Sequence, residues 1–170
     1  MLKLLKSQIN YIEDKIIDAY DNLSEKQMLN LENSDDEDAE LTKIQLKNFE
    51  KLSTSEELHY LIKKWNWDDG YEIPQKVLSH PLCDKGTALM IYWLATPDYF
   101  TKFENEEEVP TYNRENYRLV INAENLLLNN AFKLQNIKFN PKSVASWMAI
   151  NDLNIHNELK IESEGYDFTF

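Results

Sequence analysis

Cysteine occurs once, glycine three times and arginine twice in the 170 residues. One cysteine excludes a disulfide framework. Three glycines leave no room for a Walker or Rossmann phosphate loop, which needs several within a few positions. Basic residues are also scarce, with 18 lysines and arginines against 30 acids and a formal net charge of −12. A non-specific phosphate-backbone binder needs the reverse balance, so a nucleic-acid partner is not expected. No apolar run approaches the ~20 residues of a membrane span; the longest is Ala88–Ala95. Met1–Lys6 superficially resembles the start of an export signal, but Glu13, Asp14 and Asp18 follow without a cleavage site, so the expected location is cytoplasmic, with Cys83 reduced.

What is present is a foldable core. The chain is 42% hydrophobic and 12% aromatic, too apolar for a disordered segment, and long enough to bury about two thirds of its unfolded surface in one domain over 1–170. The acidity is uneven. Residues 1–57 carry 7 lysines and 14 acids, 58–103 carry 5 basic and 5 acidic residues, and 104–170 carry 6 and 11. Two acidic stretches, 32–40 and 104–108, read as solvated loops. Within them Asp35, Asp36, Glu37, Asp38, Glu106, Glu107 and Glu108 are the candidate binding residues, able to steer a basic protein partner.

The periodicity predicts a mainly α fold, either a helical bundle or stacked helix pairs. Leu2, Leu5, Ile9, Ile12, Ile16 and Tyr20 trace one apolar stripe of a long first helix. Ser24-Glu25-Lys26-Gln27 and Thr54-Ser55-Glu56-Glu57 have capping-box form and open two further helices. A helix over about 39–52 lies between them. The face Leu58, Leu61, Ile62 and Trp65 is expected to pack inward. Pro74 suits the first position of the next helix, which stops before His80-Pro81. Asp84 should cap a buried helix over 85–96, Pro97-Asp98 should start a short one, and Leu119, Ile121, Leu126 and Leu128 fall in a helix over about 114–130. Phe132, Leu134, Ile137 and Phe139 alternate as a weak strand. Ser143–Asp152 could be a helix holding Trp147 and Ile150. Segments 158–162 and 166–170 flank Ser163-Glu164-Gly165 as a small C-terminal β-hairpin would.

One block has a distinctive spelling: Asn66-Trp67-Asp68-Asp69-Gly70-Tyr71-Glu72-Ile73-Pro74, then His80-Pro81-Leu82-Cys83-Asp84-Lys85-Gly86-Thr87-Ala88-Leu89 and Tyr92-Trp93. It resembles a bacterial family catalogued only as a domain of unknown function, with a core over about 58–103. The resemblance implies a grouping and no activity, cofactor or metal. The motif residues are Trp67, Asp68, Asp69, Gly70, His80, Cys83 and Asp84. A catalytic or metal reading would converge Asp68, Asp69, His80, Cys83 and Asp84 on one pocket. The simpler reading makes Asp68-Asp69-Gly70 a turn, lets the His80 ring cap helix carbonyls, buries Cys83 as a small hydrophobe, and has Gly86 admit a close helix neighbour. His59 and His156 read as packed or solvated.

Taken together, the sequence points to a non-enzymatic, cofactor-free cytoplasmic protein that binds a basic protein. An immunity protein neutralising a basic bacterial toxin, such as a nuclease, is the concrete case. The alternatives are an enzyme or metal protein using the Asp/His/Cys cluster, and a structural subunit.

Overall fold

In the computed structural model, which describes residues 3–145 and 149–168, the chain folds around its most apolar helix. This is α6 (Lys85–Leu94), buried on nearly every side from Gly86 to Trp93, as a helix apolar all round must be. Around it pack α4 (Ser55–Lys64), α5 (Glu72–Leu78), α7 (Pro97–Phe100) and α8 (Arg114–Leu128). Of the N-terminal helices, α1 (Lys6–Ile12) packs on α4 and α3 (Glu37–Phe49) on α5, while α2 (Glu25–Glu32) lies against α3. One apolar core runs through these helices other than α2, from Ile12 to Leu159. The fold is mainly α, and no strand ladder forms among the described residues.

The helix starts follow the side chains that cap them. Ser24 and Gln27 form the capping box of α2, and Thr54 and Glu57 that of α4. Glu57 is itself buried. Burial would push its carboxyl up, but bonds from the Ser53 and Thr54 amides, the Gln8 side chain and the Thr54 hydroxyl outweigh that and hold it below the usual range. It thereby joins α1 to α4. Asp36 caps α3 by accepting from the Ala39 amide at 3.0 Å. The run 32–40 is therefore largely helical: Glu37 and Asp38 occupy the first turn of α3, where the helix dipole favours carboxylates.

Asp84 holds the central joint. Fully buried, its carboxylate accepts from the Gly86 amide at the start of α6 at 2.9 Å, and from the Asn136 and Ile137 amides at 2.7 and 3.3 Å. The Lys85 amide returns a bond to the Leu134 carbonyl at 2.9 Å. At Gly86 a Cβ would sit 2.0 Å from the Ile137 carbonyl oxygen, so only glycine fits. The close neighbour is thus an irregular segment rather than a helix.

Several expectations change. The stripe from Leu2 to Tyr20 is interrupted, because a π-turn over Glu13–Ile17 ends the first helix early. The extra residue per turn shifts the phase beyond it, so Tyr20 faces outward although Ile12 and Ile16 are buried; Leu5, ahead of the turn at the start of α1, is also exposed, and Leu2 lies outside the described residues. Pro74 is the third residue of α5, still where the missing N–H costs no helical bond. On α8 the buried face is Leu119, Val120, Ala123 and Leu127, and Ile121 faces outward. The alternating segment 132–139 forms only isolated bridges, Asp84 with Leu134 and Ile137 with Tyr166. Its amides go to Asp84, to the Tyr166 carbonyl and, from Phe139, to Ser163 Oγ at 2.8 Å. Asn157–Lys160 is a 3-10 turn, so among the described residues no hairpin forms with Tyr166; Thr169 and Phe170 lie outside them. Between 143 and 152 only short 3-10 turns flank the centre, Pro141–Ser143 and Ile150–Asp152; Trp147 lies outside the described residues.

His59 is packed, with Nδ1 3.0 Å from Thr87 Oγ1. Burial, aided by the Lys63 ammonium, holds its pKa at about 4, against 6.5 when free. Its neutral form therefore stabilises the fold fully above pH 6.5, and that contribution falls as pH drops from 6.5 toward 4, by up to about 3 kcal/mol. Urea unfolding across that window should lose less stability in His59→Gln than in wild type. At the joint, Asp84→Ala leaves three amides without their acceptor and should cost on the order of 3 kcal/mol. Gly86→Ala should also destabilise, because its methyl meets backbone; both are read as midpoints of denaturant unfolding.

Candidate functional site

Two connected hollows, of about 380 and 620 Å³, share Thr42, Asp69 and Gly70 and form one open groove. Each wall has a local cause. The π-turn ends at Ile17, and the chain leaves it through Asp18 to bring Tyr20 to the lip. Carbonyls of this wide turn are met from α3: Gln45 Nε2 donates to Ile16 O at 2.8 Å and Asn48 Nδ2 to Lys15 O at 3.1 Å. That fixes α3 beside the turn and sets Asp38 into the groove. Opposite, Asn66 caps a 3-10 turn over Trp67–Asp69: its Oδ1 accepts from the Asp68 amide at 3.3 Å and its Nδ2 donates to Asp69 Oδ1 at 2.8 Å. Gly70 has φ 94°, a left-handed geometry glycine adopts without strain, which turns the chain into α5. The Trp65 indole donates to the Gly70 carbonyl at 3.0 Å and pins this turn to the core.

The groove is acidic. Asp38, Asp68, Asp69, Glu72 and Glu115 line it, against Lys76 and Arg118. Asp69 feels the crowding: partial burial, then the Asp68 and Asp18 carboxylates, raise its pKa above the ordinary value, over the opposing bond from Asn66. The Arg118 guanidinium is already engaged, donating through Nε and Nη2 to Glu106 Oε1 at 2.9 and 2.6 Å. That pair lowers the Glu106 carboxyl and raises the arginine.

The sequence candidates thus part company. Asp38, Asp68, Asp69 and Gly70 meet in the groove. Asp35, Asp36 and Glu37 are exposed at the entrance to α3, Asp36 as its cap. Residues 106–108 form a 3-10 turn capped by Asn105, in which Glu106 is taken by Arg118 and Glu108 accepts from the Glu104 amide; Glu107 is exposed, and its carbonyl accepts from Arg114 at 3.2 Å. Trp67 is half-buried against Tyr71, ring centroids 6.3 Å apart. The His80 ring does not cap carbonyls: Nδ1 accepts from the Leu82 amide at 3.2 Å, its edge meets Phe49, and burial lowers its pKa. Cys83 is buried, and burial together with Asp84 pushes its thiol up, away from a reactive thiolate. Asp84 is spent on backbone amides. The shared pocket that a catalytic or metal cluster needs is therefore not formed by these five side chains. No group of three or more His, Cys, Asp or Glu among the described residues is arranged to hold a metal, and no described helix is long and apolar enough to cross a membrane.

Sequence reasoning missed Tyr20, Glu115 and Arg118. The π-turn that delivers Tyr20 leaves no period to read, and Glu115 and Arg118 reach the groove only because α8 packs against α5. The like-charge crowding can be checked directly: Asp68→Asn should lower the midpoint of Asp69 titration, followed by carboxyl carbon NMR.

No curated protein and no solved structure matches the chain. A family model described as a domain of unknown function (DUF4274) matches residues 53–128, which takes in α4 through α8 and is wider than the 58–103 block read from the motif. The segment from Ser53 to Leu128 is thus similar to a family of unknown function.

Proposed function

We propose that the protein binds a basic protein partner through the groove between the π-turn, α3 and the Trp67–Gly70 turn. The observation that carries this reading is the meeting of Asp38 from the N-terminal region with Asp68 and Asp69 in one open hollow, which continues past Asp69 to Glu72. Partial burial first, and then the Asp68 and Asp18 carboxylates, raise Asp69; an incoming lysine or arginine relieves the like-charge part, so electrostatic gain and binding coincide. Tyr20, half exposed at the lip, adds the aromatic contact that interface centres favour. The exposed carboxylates of Asp35 and Glu37 would extend the attractive field and speed encounter. Neutralisation of a basic toxin, a nuclease for instance, is the specific role we infer, since an acidic groove of this kind can cover a nucleic-acid-binding surface.

The test uses the full chain as bait in extract of its native host. A positively charged protein should be retained by wild type and released at about 1 M salt, where the Debye length is about 3 Å. The triple variant Asp38→Asn/Asp68→Asn/Asp69→Asn should bind that protein about a hundredfold more weakly, on the order of 1 kcal/mol per charge. If the captured protein is a toxin, co-expression with wild type, and not with the variant, should restore growth. A bait that retains no basic protein, or retains it equally well without the three charges, overturns the proposal.

A further inference from the structure

A second cleft, of about 460 Å³, shares no lining residue with the acidic groove. It opens between α7, α8 and the segment 154–157. Its volume lies in the range of small-molecule sites, about 300–1,000 Å³. Two features define its chemistry. The first is a fixed carboxylate. Glu124 Oε2 accepts from the buried Tyr92 hydroxyl at 2.9 Å. Burial and then the Glu124 and Asp98 carboxylates push the tyrosine pKa up, so that hydroxyl stays a donor. Glu124 Oε1 makes no comparably close contact; His156 Nε2 stands 3.8 Å away. No lysine or arginine lines the cleft.

The second feature is an aromatic wall. Phe100, Phe103 and Tyr117 line the cleft, with the Phe100 and Tyr117 rings 5.7 Å apart. Tyr99 backs this wall, 5.0 Å from Phe100 and 5.7 Å from Phe103. The chain's own Lys102 ammonium already rests on the same ring group, 3.9 Å from the Tyr99 centroid and 5.1 Å from that of Phe103. Ring faces attract cations, and a carboxylate held by one oxygen offers the other to a cationic nitrogen. An anion would meet Glu124 with the same sign, and a neutral apolar molecule would leave that carboxylate uncompensated.

We propose that this cleft binds an organic ammonium carried on an apolar body, with Glu124 facing the nitrogen and Phe100, Phe103 and Tyr117 enclosing the body. The role goes beyond partner binding and uses different residues. The test titrates the full chain with 2-phenylethylamine, its neutral counterpart 2-phenylethanol and the anion 3-phenylpropionate, following backbone amide shifts by NMR. The amine should give saturable shifts confined to 97–103, 117–124 and 154–157, and should bind about tenfold more tightly than the alcohol. Glu124→Gln can still accept from Tyr92, so the fold is kept, and the preference for the amine over the alcohol should vanish. Ile121→Trp, placed at the partly exposed mouth, should block all three ligands, while Asp69→Asn should leave amine binding unchanged. Equal affinity for amine and alcohol in wild type, a preference that survives Glu124→Gln, or the absence of saturable shifts in the cleft overturns the proposal.

Discussion

The buried carboxylate of Asp84 is the interaction on which the rest of the structure depends. An ionisable group fully out of water is tolerated only where donors replace the lost hydration, and here three backbone amides do so. One belongs to the first turn of the central helix and two to a segment some fifty residues later. The C-terminal region has no ladder to hold it, so its attachment rests on such side-chain anchors: Asp84, the Ser163 hydroxyl bonding both Ile137 and Phe139, and the Trp93 indole donating to the Leu159 carbonyl at 2.7 Å. Glu57 plays the matching part on the other side, where one carboxylate serves both the start of α4 and Gln8 of α1.

These anchors explain how a chain with so much negative charge stays folded around a dry core. Carboxylates that must be inside are saturated with hydrogen bonds. Several of those outside are placed at helix starts, as Asp36 to Asp38 are, or paired, as Glu106 is with Arg118. In the groove, the Asp68 and Asp18 carboxylates add to the rise at Asp69. A local conflict of like charges on an open, partly buried surface is the pattern expected of a binding site.

Much of the helical frame was legible because its signals are local. Ser24, Thr54 and Asp84 each announced a helix start that the structure keeps, and the apolar run 88–95 could only be interior. The two regions that misled share a cause: their partners lie far off in sequence. The alternation at Phe132, Leu134, Ile137 and Phe139 is genuine, and Phe132, Ile137 and Phe139 are buried, but their backbone partners are Asp84, Ser163 and Tyr166 rather than a neighbouring strand. The first helix misled through phase, since a π-turn inserts a residue that the 3.6 period cannot reveal. For the site, Asp68-Asp69-Gly70 was visible as a turn and Asp38 as one acid in a run. Their meeting across the groove is tertiary and had no signal in either segment.

The position of the π-turn has a consequence for how recognition could diversify. The groove has two jaws of separate origin: Asp68, Asp69, Glu72 and Glu115 stand on the segment that the family model matches, whereas Ile17, Tyr20, Asp38 and Thr42 stand on the N-terminal part before it. Substitutions on the second jaw would leave the matched frame and its Asp84 joint untouched. Proteins built on the same frame could then present different faces to different partners simply by changing what precedes α4.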